Sequence, residues 1–318
     1  MTDLISEPIT ALDRTNRRVE DYANASRSPA TRRAYAHDWQ DFTRWCASHA
    51  VEHLPATPAT IAAYITDLAE QHRTVSTITR RMTAISQAHQ LAGQTTPTRD
   101  ERVRTVLKGI KRTLGTAQQG KAPATIEVVR ILLQQLEHGI LGTRDRALIL
   151  LGFAGAFRRS ELVSFDVADV TFSELGMVLK LRHSKTDQEG EGRKIAIPYG
   201  LIPTTCPVRA LEVWLHDAGI ATGAIFRPID RHGNVKSQRL TAQSVALVIK
   251  RYAAAAGLQV DDFSGHSLRA GFATTAAAAG VAERNIMRQT GHTSVKTVRK
   301  YIRQGELFRD NPAGQLGL

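Results

Sequence analysis

Four short stretches carry arginine, histidine, lysine and tyrosine in combinations suited to work on a phosphodiester. They are GAFRRSEL at 155–162, HSKTD at 183–187, GHSLR at 265–269 and TGHTSVKTVRKY at 290–301. Cleaving that bond without a metal needs a nucleophile in line with phosphorus, cations on the non-bridging oxygens and an acid for the departing oxygen. A candidate for each part is present, yet each stretch alone also has a structural explanation. His266 and Arg269, three apart, share one face of a helix and could approach one phosphate near its N-terminus; equally, His266 could cap the helix and Arg269 form a salt bridge. Arg158 lies so close to an apolar helix that it should either hold an anion or pair with Glu161. Lys185 follows a strand at a hairpin tip, where most lysines are simply solvated. Tyr301 borders an apolar helix face, as a half-buried core tyrosine would, and His292 lies in a loop.

Two kinds of element must position these residues. Residues 1–18 are polar and without a sustained period, and read as a flexible tail. From 19 to 114 the pattern is helical throughout. Helices are expected from Ser28-Pro29 with Tyr35, Trp39, Phe42 and Trp45 on one face, and from Thr57-Pro58 with Ile61, Tyr64, Ile65 and Leu68. A third follows Ser76, with Ile78, Met82, Ile85 and His89 inward and Arg80 and Arg81 outward, and a fourth spans roughly 99–114. Residues 115–123, GTAQQGKAP, read as a linker, and 124–318 as a mixed second domain. There, Met177, Leu179 and Leu181 alternate with Val178, Lys180 and Arg182, the period of a half-buried strand, which returns over 194–198. Helices are expected around 126–136, 144–153, 207–218, 241–256, 266–279, 282–289 and 294–303.

Charge narrows the partner. Lys plus Arg number 42 against 30 Asp plus Glu, a formal net charge of +12, so the chain attracts polyanions over about a Debye length, ~8 Å at physiological salt. Nucleic acid is the leading partner, with an anionic membrane surface as the alternative; no strongly amphipathic basic helix with inserted Trp or Phe favours the membrane. No apolar run reaches the roughly eighteen residues of a membrane span, and no secretion signal is legible. Cys46 and Cys206 make no disulfide framework, which fits a reducing cytoplasm. The 11 histidines form no HExxH and no paired Cys/His spacing, which argues against a metal nuclease.

In order and spacing the four stretches resemble the tyrosine recombinase (phage integrase) family. Its pattern is an arginine in G-[LF]-R-x-x-E-[LI], a lysine in a β-hairpin, H-x-[LA]-R, and G-H or G-W nine residues before a tyrosine. Here these stand as AFRRSEL, HSKTD, GHSLR and TGHTSVKTVRKY, with His292 and Tyr301 nine apart. GHSLRAG, the KYIR ending and the Arg33-to-Cys46 helix look nearest to Cre-like members, which carry tryptophan at the His292 position.

That resemblance implies a mainly α fold. An all-helical, SAM-like core-binding domain would precede a mixed α+β catalytic domain with a small antiparallel sheet, the DNA breaking-rejoining fold. It implies Tyr301 as nucleophile, Arg158 and Arg269 on the phosphate oxygens, and Lys185 as acid for the leaving oxygen. His266 would act as acid/base beside the tyrosine, His292 would hydrogen-bond the phosphate, and Glu161 would orient Arg158 or a histidine. Neither ATP nor another cofactor is implied, nor an obligatory metal. The expected partner is double-stranded DNA with paired inverted half-sites, gripped in a clamp and bound by a homotetramer on two sites. Leu307, Phe308, Leu316 and Leu318 would dock the C-terminal tail on a neighbour. By position, Arg32, Arg33, Arg80 and Arg81 are candidates for groove or backbone contact, and Lys108, Lys111, Arg112 and Lys121 for phosphates along the linker; Arg239 would precede a second groove-reading helix. A type IB topoisomerase uses the same residue types without exchanging partners, and a non-catalytic DNA-binding protein is the alternative from another class.

Overall fold

Short polar side chains start the first helices. Ser28, Thr57 and Thr74 each accept a hydrogen bond from the backbone N–H three residues on, and Asp100 accepts from Arg102. Pro29 and Pro58 occupy first turns, where a missing N–H costs nothing. The helices that follow are α1 (Pro29–Ser48), α2 (Pro58–Glu70), α3 (Val75–Leu91) and α4 (Glu101–Leu114). The computed structural model describes residues 18, 22, 26–116, 120–182, 184, 192–295, 298, 299 and 301. Contacts divide the chain into two units, Met1–Gln119 and Gly120–Leu318.

The first unit closes over Phe42, Ile61, Tyr64, Ile65, Leu68, Ile78, Ile85 and Val103, the apolar faces that the helical periods announce. One pair of that reading needs correction. Arg81 does not face outward: it is buried, bonds Asp41 and Tyr64, and lies 3.8 Å from the fully buried Asp38. Its neighbour Arg80 grips the same Asp38 with two bonds of 2.7 and 2.9 Å while half its side chain stays exposed. A carboxylate placed inside α1 has to be met by cations from α3, so Arg81 serves the core and is not free to touch DNA. Arg81→Ala should therefore destabilise the protein by about 3 kcal/mol in denaturant unfolding, whereas Arg32→Ala should change stability by less than about 0.5 kcal/mol.

In the second unit, α5 (Ile126–Gln134) and α6 (Ile140–Ala154) lead into a short α7 (Arg159–Ser164). A three-stranded antiparallel sheet follows, β1 (Val170–Ser173), β2 (Gly176–Leu181) and β3 (Arg193–Pro198), ordered β1-β2-β3. Met177 faces Ile197, Leu179 faces Ile195 and Leu181 faces Arg193; the apolar members of these pairs are buried on one side, as the alternation required. β1 is the strand that sequence reading misses, because only four residues of mixed polarity, VTFS, form it. Helices α8 (Pro207–Asp217), α9 (Ala242–Ala255), α10 (Ser267–Ala278) and α11 (Glu283–Thr290) complete the named elements. The protein is thus mainly helical with one small antiparallel sheet, as expected. Among the described residues no helix is long and apolar enough to cross a membrane.

Residues 120–123, read as part of a linker, are tied to the second unit. The Ala122 N–H donates to Asp262 over 2.7 Å, the Ala124 N–H donates to Ser267 over 2.9 Å, and the Lys121 ammonium reaches the Asp261 carbonyl. The chain at Ala124 runs so close to α10 that a Cβ on Gly271 would lie 1.8 Å from the Ala124 carbonyl oxygen. Glycine at 271 is what lets this segment brace the helix carrying Arg269.

Candidate active site

Arg269 lies on the buried side of the first turn of α10 and is 1 % exposed. Its Nη1 donates over 2.8 Å to the carbonyl of Ala156, in the turn between α6 and α7. Ala156 has φ 50°, a left-handed conformation that alanine adopts only when its surroundings hold it there. The same turn delivers Arg158, the N-cap residue of α7. Its backbone N–H donates to Glu161 over 2.9 Å, and its guanidinium meets the other oxygen of that buried carboxylate at 2.5 Å. The structural alternative for Arg158 and Glu161 is thus present as an ion pair, but it stands beside Arg269. Nε and Nη2 of Arg269 are buried without a hydrogen-bond partner. An unmet buried donor costs about 1–3 kcal/mol, so a fold retains one where an acceptor is to be bound.

His266 immediately precedes α10, at its N-cap, with a helical backbone whose carbonyl accepts from the Ala270 N–H at 3.0 Å. It stands at the mouth of the site, with Nε2 2.7 Å from the Tyr301 hydroxyl. Tyr301 is half-buried against a small apolar cluster of Ala273, Ala277, Ile286 and Val298, which fixes its ring while leaving the phenol oxygen on the histidine. The His292 ring centre lies 6.1 Å from that of Tyr301. α11 ends at Gly291 in the left-handed conformation, φ 64°, which turns the chain and sets His292 next to the cluster.

Electrostatics follow from burying like charges together. Burial, and then Arg158, push Arg269 down to about 10. Burial, then Arg269 and Arg158, hold His266 below its ordinary range, and the same causes in the same order take His292 down to about 3. Burial raises the Tyr301 phenol, and Arg269 opposes that rise. At neutral pH both histidines are therefore neutral and the phenol keeps its proton. A neutral Nε2 at 2.7 Å can take that proton when the phenol attacks. The tautomer of His292 follows from its partner. Thr290 commits its hydroxyl proton to the Ile286 carbonyl at 2.7 Å, so it accepts from Nδ1 of His292, also at 2.7 Å, and leaves Nε2 with a lone pair.

One residue of this cluster escaped sequence reading. Arg193, first in β3, donates from Nη1 to the carbonyls of Arg288 and Gln289 at 3.1 and 3.0 Å. A Cβ on Gly291 would lie 2.8 Å from its guanidinium carbon. The only sequence signal is its place on the return strand of the Lys185 hairpin, opposite Leu181. Lys185 itself lies outside the described residues, as do Leu307, Phe308, Leu316 and Leu318.

The residues expected to touch DNA divide into two sets. Arg32 and Arg33 on α1, and Lys108, Lys111 and Arg112 on α4, are exposed, the last three on one helical face. Arg80 is exposed but held by Asp38, and Arg81 is buried. Lys121 is bonded to the Asp261 carbonyl. Arg239 does not lead into a groove-reading helix with a free fork. Its Nη1 closes the end of α7 on the Val163 and Phe165 carbonyls at 2.7 and 3.1 Å, and its Nη2 pairs with Asp166 at 2.6 Å.

The model of the phage integrase family matches residues 124–306. The integrase/recombinase xerD homolog of Selenomonas ruminantium is 47 % identical over 295 residues, 92 % of this chain and 86 % of that relative. Recombinase cre of Escherichia phage P1 is 23 % identical over 284 residues, 83 % of this chain and 81 % of Cre. Nearness to Cre-like members, expected from GHSLRAG and KYIR, is corrected by that contrast: Cre is much the more distant of these two relatives. Among solved structures, a lambda integrase dimer bound to a COC′ core site matches with a TM-score of 0.61 at 17 % identity, over 93 % of this chain and 96 % of that one.

Proposed function

The chain belongs to the phage integrase family and is a tyrosine recombinase; we propose that it cuts DNA with Tyr301 at a phosphate held by Arg158 and Arg269. The observation that carries this reading is the 2.7 Å bond between His266 and the Tyr301 hydroxyl, beside an arginine two of whose buried nitrogens have no partner. The phenol oxygen forms a bond to phosphorus as the bond to the 5′ oxygen breaks. The phenol proton passes to His266, Lys185 protonates the departing 5′ oxygen, and the DNA 3′ phosphate stays on Tyr301. Attack by a 5′ hydroxyl of a partner strand reverses these steps and exchanges the strands. The two guanidiniums act where negative charge grows on the non-bridging oxygens, and Glu161 keeps Arg158 in place.

The partner we propose is double-stranded DNA with paired inverted half-sites, bound by four copies across two sites, in the cytoplasm. The exposed cations on α1 and α4 support a phosphate-gripping role for the first unit, and each neutralised phosphate adds about −0.9 to the log–log salt slope. Trapping covalent complexes on fragmented genomic DNA and sequencing the attached ends tests the reading. A recurring site with inverted flanks is expected; random ends would place the protein with relaxing enzymes instead.

Two pH effects follow. A base below the ordinary histidine range, 6.5, stays neutral to lower pH, so adduct formation should run level through neutrality and decline only below that value. A decline already centred above 6.5 would remove His266 as the base. His292 presents a lone pair at Nε2 in the free protein and can donate to a phosphate oxygen from there only by taking up a proton. DNA binding should consequently take up as much as one proton, seen as a calorimetric heat that depends on the buffer's ionisation enthalpy. His292→Gln should lack the uptake, and affinity should weaken as pH rises.

A further inference from the structure

We propose that Arg193 is a third phosphate-contacting guanidinium of the active site, an inference that rests on the reading of Tyr301 as a nucleophile at a phosphodiester. Among the described residues its fork is anchored through Nη1, which donates to the Arg288 and Gln289 carbonyls near the end of α11, just ahead of Gly291 and His292. Nη2 is buried and without a hydrogen-bond partner, the condition shared by Nε and Nη2 of Arg269. Arg239, with a structural task, sets Nη1 on two carbonyls and Nη2 on Asp166. Among the described residues, the one arginine outside this cluster with an unmet buried nitrogen, Arg81, holds that Nε 3.8 Å from the Asp38 carboxylate, and no carboxylate pairs with Arg193 in that way. Arg193 is also charged in the same small volume as Arg158 and Arg269. Arg158 and Glu161 act on it, and its own charge is felt at Arg269 and His292. Three guanidiniums thus interact around Glu161, an excess of positive charge that is stable only facing an anion. A planar fork fixed through one nitrogen and unmet at the other is set to hold a tetrahedral oxyanion with little further ordering. The unmet nitrogens are covered in the free chain, so the phosphate arrives with a local shift of the side chains around them.

The test uses the full chain and a synthetic duplex of its cleavage site, made with either the natural scissile phosphate or an uncharged methylphosphonate in that place. Arg193→Gln keeps a donor for the α11 carbonyls and removes the charge. It should slow adduct formation by about 10- to 100-fold on the natural duplex and by less than about 3-fold on the methylphosphonate, each relative to wild type on that duplex. Equal slowing on both duplexes would overturn the contact and leave Arg193 as a brace for α11. The difference between duplexes should persist in a His292→Ala background; its disappearance there would mean that Arg193 acts through His292, which also overturns the contact. Should Arg193→Gln melt well below wild type, Arg193→Met, which also removes the charge and keeps the volume, carries the same comparison. Failure of the underlying reading looks different, since wild type itself would then form no adduct on the natural duplex, and both would fall.

Discussion

Tyr301→Phe should abolish the covalent protein–DNA adduct, a rate loss of about 10⁴-fold or more, while leaving DNA affinity within about 2-fold of wild type. The phenylalanine keeps the ring that packs on Ala273, Ala277, Ile286 and Val298, so the small cluster around it should hold. Only the hydroxyl is lost, and with it the bond to His266. Among the described residues the other side chains of the cluster are guanidiniums, imidazoles, one carboxylate tied to Arg158 and the Thr290 hydroxyl, which is committed to the Ile286 carbonyl and His292. A variant that still forms adducts would show that another residue is the nucleophile. A variant that loses binding would show that the hydroxyl holds the fold or the DNA.

The second large effect separates catalysis from stability. Arg269→Met should slow adduct formation by about 10²- to 10³-fold, the scale on which a charge aimed at a developing oxyanion contributes. The same change should leave the folded state unaltered or stabilise it by about 1 kcal/mol. Arg269 is buried among like charges with two of its nitrogens unpaired, and among the described residues it bonds the Ala156 carbonyl. Replacing such a group by an apolar side chain of similar volume is often neutral or stabilising. A destabilisation of several kcal/mol in denaturant unfolding would instead make Arg269 a keystone of the α6–α7 turn. It would then remove the reason to regard its unmet donors as kept for phosphate.

Much of this site was legible in the sequence because its parts are local signals. GAFRRSEL, GHSLR and the Gly291–Tyr301 stretch each set a turn or helix end next to a charged side chain, and such features survive without knowledge of tertiary packing. Capping residues marked the helix starts at Ser28 and Thr57 for the same reason, whereas the third helix, read as following Ser76, is capped two residues earlier by Thr74. What was illegible depends on partners far along the chain. Arg81 reads as outward until Asp38 and Asp41, some forty residues earlier, are found to pull it inside. Arg239 reads as a basic residue ahead of a helix until the carbonyls of Val163 and Phe165 are found in its path. Arg193 belongs to the site only because β3 and the end of α11 meet, ninety-five residues apart in sequence. His266 and Arg269 are three apart at the start of one helix, as their spacing announces, but that His266 meets Tyr301, thirty-five residues on, is a long-range contact. Charged residues therefore mark where chemistry is possible, and long-range pairing decides which of them take part.

The most direct measurement is the identity of the residue joined to DNA. Cleavage of a duplex nicked near its site, so that the released 5′ end diffuses away, accumulates the covalent complex; digestion and mass spectrometry then locate the modified peptide. The expected result is a nucleotide linked through its 3′ phosphate to Tyr301, in a peptide that also carries His292 when digestion is partial. A link to any other side chain, or through a 5′ phosphate, would contradict the arrangement of His266, Arg269 and Tyr301 described above.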